Sequence, residues 1–313
     1  MLKIKEIENY KKYGKCLSIS NGSIEALVTL EVGPRIISFS FVGQDNILFS
    51  EREEFEQMGG KEFDEHYYKG AYWENYGGHR LWIAPESLPE TYYPDNLPVE
   101  YTIDGNSVLF KQKPQKENGI EISIEVIMDN KKPEMSVKHY GKNISDGQKE
   151  FALWPITVMD KGGIEIIPLN CDDTGLLPNR NITFWPYTNI NDPRFYICNK
   201  YITLSQDASN SNAFKIGVDC HSGIGYYVIG DNVFCKEYTH AIGGNYPDYS
   251  ASYESYTNET ILEFETLSTI HNVNPSETIT HSEKWKLYSK PCELDPKNEE
   301  SISKFISSLV SEK

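Results

Sequence analysis

His240, Tyr246, Asp248, Glu254, Glu263 and Glu265 all fall between Phe234 and Leu287. These types suit acid–base chemistry: a carboxylate in a partly desolvated cleft takes up a proton near neutrality, and an imidazole can give one. From Ile261 to Leu267 apolar and acidic residues alternate, the period of a half-buried strand. Leu262, Phe264 and Thr266 then share one face, and Glu263 and Glu265 the other. Two acids on a strand face also suit plain solvation, so alternation alone leaves both readings open. Asn274-Pro275-Ser276 has turn chemistry, and Ile279, His281, Glu283, Trp285 and Leu287 follow at strand spacing.

A second concentration runs from Tyr72 to Pro98 and holds Trp73, His79, Arg80, Trp82 and Glu86. Its Gly, Pro and polar content predicts a long loop over a β scaffold, where binding groups tend to sit. His79 follows two glycines and precedes Arg80, which suits polar recognition. Arg80 can grip a hydroxyl pair, a carboxylate or a phosphate, or pair with an acid of the chain. Trp73, Trp82, Trp185 and Tyr246 suggest a sugar site, whose C–H faces stack on aromatic rings, and core packing fits each equally well. Their position in loops, not in alternating strands, favours the site. Lys236 alternates within FCKEY and points either into a concave sheet face or to water. His240 either lines the same pocket or lies on a loop surface.

The elements that would position these residues are short strands. CLSIS, IEALVTL and RIISFSFVG form a meander; VEYTI, SVLFKQ, GIEISIEVIM, 135–140 and 151–159 continue it, and further runs lie around 200–205, 213–220 and 224–230. The charged stretch 51–70 reads as a short helix broken at Gly59-Gly60 or as a loop. Asp295-Pro296 starts a terminal amphipathic helix over about 296–311, with Ile302, Phe305, Ile306 and Leu309 at helical spacing. The spacing predicts one all-β sandwich domain over residues 1–313 with that helix docked outside a sheet.

Composition limits the function classes. In 313 residues, 21 Tyr, 13 Phe and 5 Trp make aromatics a main source of buried area. A formal net charge of -16 argues against nucleic-acid and anionic-membrane partners, which require basic surfaces. The N-terminus lacks the features of a signal peptide and no run reaches membrane-span length, which predicts a soluble cytoplasmic protein. Six scattered cysteines without a CxxC pair suit reduced thiols. Without HExxH, HxH, GxSxG, GxGxxG or a phosphate loop, neither metal nor cofactor is expected. Oligomeric state is not set by these features.

The segments GGHRLW, GGNYPDYSASYESYTN and LEFETLSTI, the last followed by NPSETITHSEKWKL, together with GPRIISFSFVGQDNILF, resemble the galactose mutarotase-like superfamily, the aldose 1-epimerase fold. The resemblance spans about residues 16–288. Within the superfamily it points to a branch with GGHRLW, WPYT-DPR and YPD-E-YTN segments. It implies a large antiparallel β-supersandwich with a small-molecule sugar site in a concave sheet face. In that family a Glu near the chain end takes the proton of the anomeric hydroxyl and a His protonates the ring oxygen. Relative to the NPSE turn Glu265 matches the base; Glu263 lies one pleat away, and Glu254 is the next candidate. GGHRLW is similar to the Gly-Gly-x-x-x-Trp stretch of hexose-6-phosphate epimerases, which implies His79 and Arg80 near the sugar. The counterpart of the family's histidine-bearing strand, Phe151–Thr157, has no histidine. The resemblance therefore implies an isomerase acting at an anomeric carbon with Glu265 as base and His79 or His240 as acid, His79 ranking first. The alternatives are a non-catalytic sugar-binding or sensor protein and, third, a glycoside hydrolase or lyase.

Overall fold

The alternating segments of the chain pair into two large antiparallel sheets. The computed structural model describes residues 2–50, 57–290 and 293–310. Among these, eleven strands form one sheet and ten the other. The first sheet runs from Lys3–Ile7 through Cys16–Ser20, Ile24–Thr29, Ile36–Phe41, His79–Ala84, Lys149–Met159, Leu262–Thr266, Tyr253–Thr257 and Phe214–Val218 to Ile182–Phe184. Its eleventh strand, His271–Val273, pairs with one end of Lys149–Met159. At the centre of the second sheet Asn232–Tyr238, Thr278–Ser289, Glu134–Asn143 and Ile120–Met128 lie side by side.

Between the sheets the inward residues of each strand interdigitate. Phe39 and Phe234 meet Trp285 edge-to-face at 5.5 and 5.0 Å between ring centres, and all three are buried. Rings of this size bury roughly 150–250 Å² each, which is how an aromatic-rich chain fills a sandwich core. The all-β architecture follows the sequence pattern because period-2 alternation commits each strand to one buried face.

The C-terminal helix covers the outer face of the second sheet, its Ile302, Phe305 and Leu309 packing with Ile166, Val228 and Val233. It spans Glu299–Val310, three residues later than the expected start at 296. Asn298 is the capping residue, its Oδ1 accepting from the Glu300 and Ser301 amides. Asp295 instead accepts from the Lys297 amide, closing a turn before the helix. No helix among the described residues is long and apolar enough to cross a membrane.

The expected long loop over 72–98 is corrected over 72–84, while 85–98 is loop apart from a short 3-10 turn at Glu90–Tyr92. Gln57–Gly59 pairs with Tyr72–Glu74, a helix spans Lys61–His66, and His79–Ala84 is a central strand bonded to Lys149–Met159. Trp73 and Trp82 therefore lie on strands, as pairing with neighbouring strands outweighs a Gly- and Pro-rich local composition. Residues 51–56 of the charged stretch, Cys292 and residue 311 lie outside the described residues.

Candidate functional site

The outer face of the first sheet carries the chemistry. On Leu262–Thr266 the alternation turns Phe264 into the core, so Glu263 and Glu265 point the other way. Arg80 and Trp82 of the neighbouring elements share that face, as do Trp154, Glu254, Tyr256 and Lys215. Register aligns them: Arg80 is opposite Ile156, Ile156 opposite Glu265, and Glu265 opposite Glu254, with Trp82 opposite Trp154. Two glutamates directly across a ladder repel, so this row requires a cation.

Lys215, two rungs away on Phe214–Val218, supplies it. Its ammonium lies 2.8 Å from Glu254 and 3.5 Å from Glu265, and 4.6 and 4.7 Å from the ring centres of Trp154 and Trp185. Gly217 lets Trp185 lie on the sheet: a Cβ there would stand 2.9 Å from the Ala251 Cβ and 3.4 Å from the Trp185 ring. The Trp154 indole donates to Glu265 Oε2 at 2.7 Å. Beside this group Arg80 donates to Glu263 Oε1 at 2.9 Å, its guanidinium 4.2 Å from the Trp82 ring centre and 5.5 Å from that of Trp73.

Above these groups opens a cleft of about 370 Å³ lined by Trp73, Arg80, Trp82, Tyr92, Trp154, Tyr187, Lys215, Tyr256 and Glu263, among others. That volume lies at the small end of the roughly 300–1,000 Å³ typical of small-molecule sites. Buried polar atoms of two lining residues have no hydrogen-bond partner, Nε and Nη1 of Arg80 and Nε1 of Trp73, nor has Oε1 of Glu254 or of Glu265, which are fully buried against Lys215. Burial drives the Glu265 carboxyl up to about 7 against the pull of Lys215, and Glu263 adds to the rise. Burial also pushes Glu254 well above the carboxylate range, with Lys215 opposing and Glu265 and Asp248 assisting. For Lys215 burial works against the charge, but Glu254 and Glu265 outweigh it and hold the group well above the usual lysine value. One fixed ammonium thus faces two carboxyl groups that bind protons readily.

The remaining expected site residues are dispersed. His79 is not at the cleft: its strand neighbours Arg80 and Trp82 point out, so His79 points between the sheets. There its Nε2 meets His139 Nε2 at 2.8 Å and its Nδ1 meets Thr157 Oγ1 at 2.8 Å. Burial, followed by His139 and Lys236, keeps it neutral, well below the usual imidazole range. Lys236 is neither at the concave face nor in water but in the same interior layer, donating to Thr157 at 2.6 Å and to the Phe264 carbonyl at 2.9 Å, beside Glu283 at 3.2 Å. His240 pairs with Asp219 at 2.6 Å. Tyr246 does not line the cleft but packs with Trp154, which does, and with Leu267. Lys215 and Trp154 are the residues that sequence reasoning missed. The signal for Lys215 was its place as the one charge in the apolar run FKIGV.

Glu165, on Ile164–Pro168 of the second sheet and turned towards the inner face of the first, gives a control. It is buried between the layers, accepting from Tyr253 at 2.7 Å and from Ser255, and burial pushes its carboxyl up to about 8. The folded protein keeps this proton while the unfolded chain releases it above about pH 4.5. The group's contribution is therefore full below that pH and is lost as pH rises towards 8. Glu165→Gln is expected to raise stability at pH 8 and leave it near the parent value at pH 4.5. Urea unfolding at the two pH values checks this, and an equal change at both would refute it.

No protein-family model matches the chain, and no curated protein matches its sequence. Solved structures do match in fold. A galactose mutarotase-like protein from Lactobacillus casei superposes with a TM-score of 0.54 at 10% identity, over 91% of this chain and 100% of that one. Another from Clostridium acetobutylicum gives 0.53 at 11% identity, over 92% and 99%. A TPR-domain containing protein from Parabacteroides distasonis gives 0.59 at 12% identity; 89% of this chain is covered, and it spans only 48% of that protein. With the likeness to these structures running along nearly the whole chain, this protein has the galactose mutarotase-like fold.

Proposed function

We propose that the cleft binds a sugar and that Glu265 and Lys215 act at its anomeric carbon, as in the aldose 1-epimerase type of isomerisation. The observation that carries this reading is an aromatic-lined cleft on which Arg80 and Trp73 keep unpartnered buried polar atoms, with unpartnered carboxylate oxygens of Glu254 and Glu265 buried against Lys215 of its lining. Buried polar groups cost free energy unless paired, and a polyhydroxylated ring offers donors and acceptors together with C–H faces for the tryptophans. Glu265 accepts the proton of the anomeric hydroxyl as the bond from C1 to the ring oxygen breaks; the Lys215 ammonium, held charged, stabilises the negative charge developing on that oxygen, which takes its proton from water. Rotation about C1–C2 and the reverse transfers close the ring in the other anomer. A carboxyl titrating near 7 is well matched to this work.

A second reading, binding without turnover, is favoured by two features: Glu265 is fully buried, and no histidine is among the described residues lining the cleft. Proton NMR on freshly dissolved aldoses, hexose phosphates and uronates separates the two. Accelerated anomer interconversion supports the isomerase. Line broadening at unchanged interconversion supports the binding protein, and silence across the panel removes the sugar reading altogether.

A further inference from the structure

We propose that Asp219, His221 and His240 form a binding site for a divalent transition metal, zinc being the ion that the donor set suits. The residues come from two places that the fold brings together. Asp219 and His221 flank Cys220 just after the Phe214–Val218 strand, and His240 lies two residues beyond Asn232–Tyr238. Gly223 permits the approach: its φ is +58°, and a Cβ there would stand 2.2 Å from the Tyr238 carbonyl oxygen. The Tyr238 amide donates to the Gly223 carbonyl at 2.7 Å, and the His221 and His240 rings end 4.9 Å apart.

The donors converge without help from a ligand. Asp219 Oδ2 lies 3.1 Å from His221 Nε2, and Asp219 Oδ1 lies 2.6 Å from His240 Nε2. One ligand atom from each residue falls within 4.8 Å of the other two. Zinc bonds of about 2.0–2.2 Å in a tetrahedron set neighbouring donors roughly 3.3–3.5 Å apart, so small side-chain rotations complete the site. The backbone is fixed: the Asn170 amide donates to the Asp219 carbonyl at 2.8 Å and accepts from the His221 amide at 2.9 Å, and the Cys220 amide donates to Ser252 at 3.0 Å. His240 is held against Tyr246, stacked at 5.2 Å.

Two imidazoles and a carboxylate select zinc and its transition-metal neighbours over calcium or magnesium, which take oxygen donors. The His240 side chain is 2% exposed, but those of Asp219 and His221 are 22% and 24% exposed, leaving a side open for entry and for a water as fourth ligand. The other convergent set, His79, His139 and Glu283, is sealed between the sheets with Lys236 already beside Glu283. His240 Nδ1 has no partner. A ligating imidazole ordinarily has an acceptor there, whose loss costs about 10–100-fold in affinity, so micromolar binding is expected. Through His240 and Tyr246 the ion would tether the turn after Tyr238 to Trp154 of the cleft.

The test is calorimetric titration of zinc chloride into the full, untagged chain after chelator treatment, followed by cobalt titration read by visible absorption. One ion per chain is expected, with the intense visible bands of four-coordinate cobalt. His221→Ala, at a partly exposed position that keeps the fold, and Asp219→Asn should each weaken binding at least 10-fold. His271→Ala, at an exposed histidine elsewhere, should leave it unchanged, with circular dichroism verifying the fold of each variant. No saturable binding, or equal binding in parent, His221→Ala and Asp219→Asn, would overturn the site and mark any bound zinc as adventitious.

Discussion

Replacing Lys215 by methionine is expected to destabilise the protein by about 3–5 kcal/mol near neutral pH and to abolish sugar binding. The side-chain volume is nearly kept, so the effect is one of charge. Glu254 and Glu265, directly opposite in the ladder, lose the ammonium that lies 2.8 and 3.5 Å from them. Removing one partner of a buried ionic group leaves the other uncompensated, which is the origin of the 3–5 kcal/mol. The carboxyls respond by binding protons more tightly. Because their folded pKa values then lie still further above the unfolded 4.5, the folded state holds protons that the unfolded chain releases as pH rises. The deficit of Lys215→Met should thus be small at pH 5 and large at pH 8. Urea midpoints for parent and variant at both pH values measure it. A deficit of equal size at both would mean that packing against Trp154 and Trp185, not charge, is what Lys215 supplies.

Glu265→Gln is expected to separate turnover from stability. Glutamine still accepts the Trp154 indole hydrogen bond, so the sugar should bind with little change. Turnover, under the proposed isomerisation, should fall by about 10²–10⁴, the usual worth of a positioned acid or base. Stability should move the other way. The parent carboxyl, held up to about 7 by burial, contributes fully below about pH 4.5 and loses that contribution as pH rises through 7. A neutral amide does not titrate, so the variant should be the more stable protein at pH 8 by roughly 1–3 kcal/mol. Anomer-exchange NMR and urea unfolding on one preparation test both halves. Retained turnover in a stabilised variant would transfer the proton-acceptor role to another group, Glu263 first. Glu165→Gln shares the stability gain but not the loss of turnover, since Glu165 lies between the two sheets, away from the cleft.

The sandwich was legible because strand alternation is a local property. LEFET, IISFSF and FKIGV each state which residues go in and which go out, and the structure keeps Leu262, Phe264 and Thr266 inward and Glu263 and Glu265 outward. The C-terminal helix was legible for the same reason, apart from the choice between Asp295 and Asn298 as its cap. Around His79 the glycines and prolines describe a loop locally, while two flanking strands make the segment a strand. Once it is a strand, the parity of one residue decides everything: Arg80 faces the cleft, and His79 is committed to a neutral histidine layer in the interior.

The all-β pattern, the aromatic supply and the pair of outward acids on Leu262–Thr266 can be read from the residues alone, since each depends only on positions a few places apart. Which groups share a site is a property of the folded chain. Lys215 reaches Glu265 across 50 positions of sequence, and His240 reaches Asp219 across 21. Such neighbours are set by the order and register of strands, which arise from the combined burial of both sheet faces and from no short segment alone.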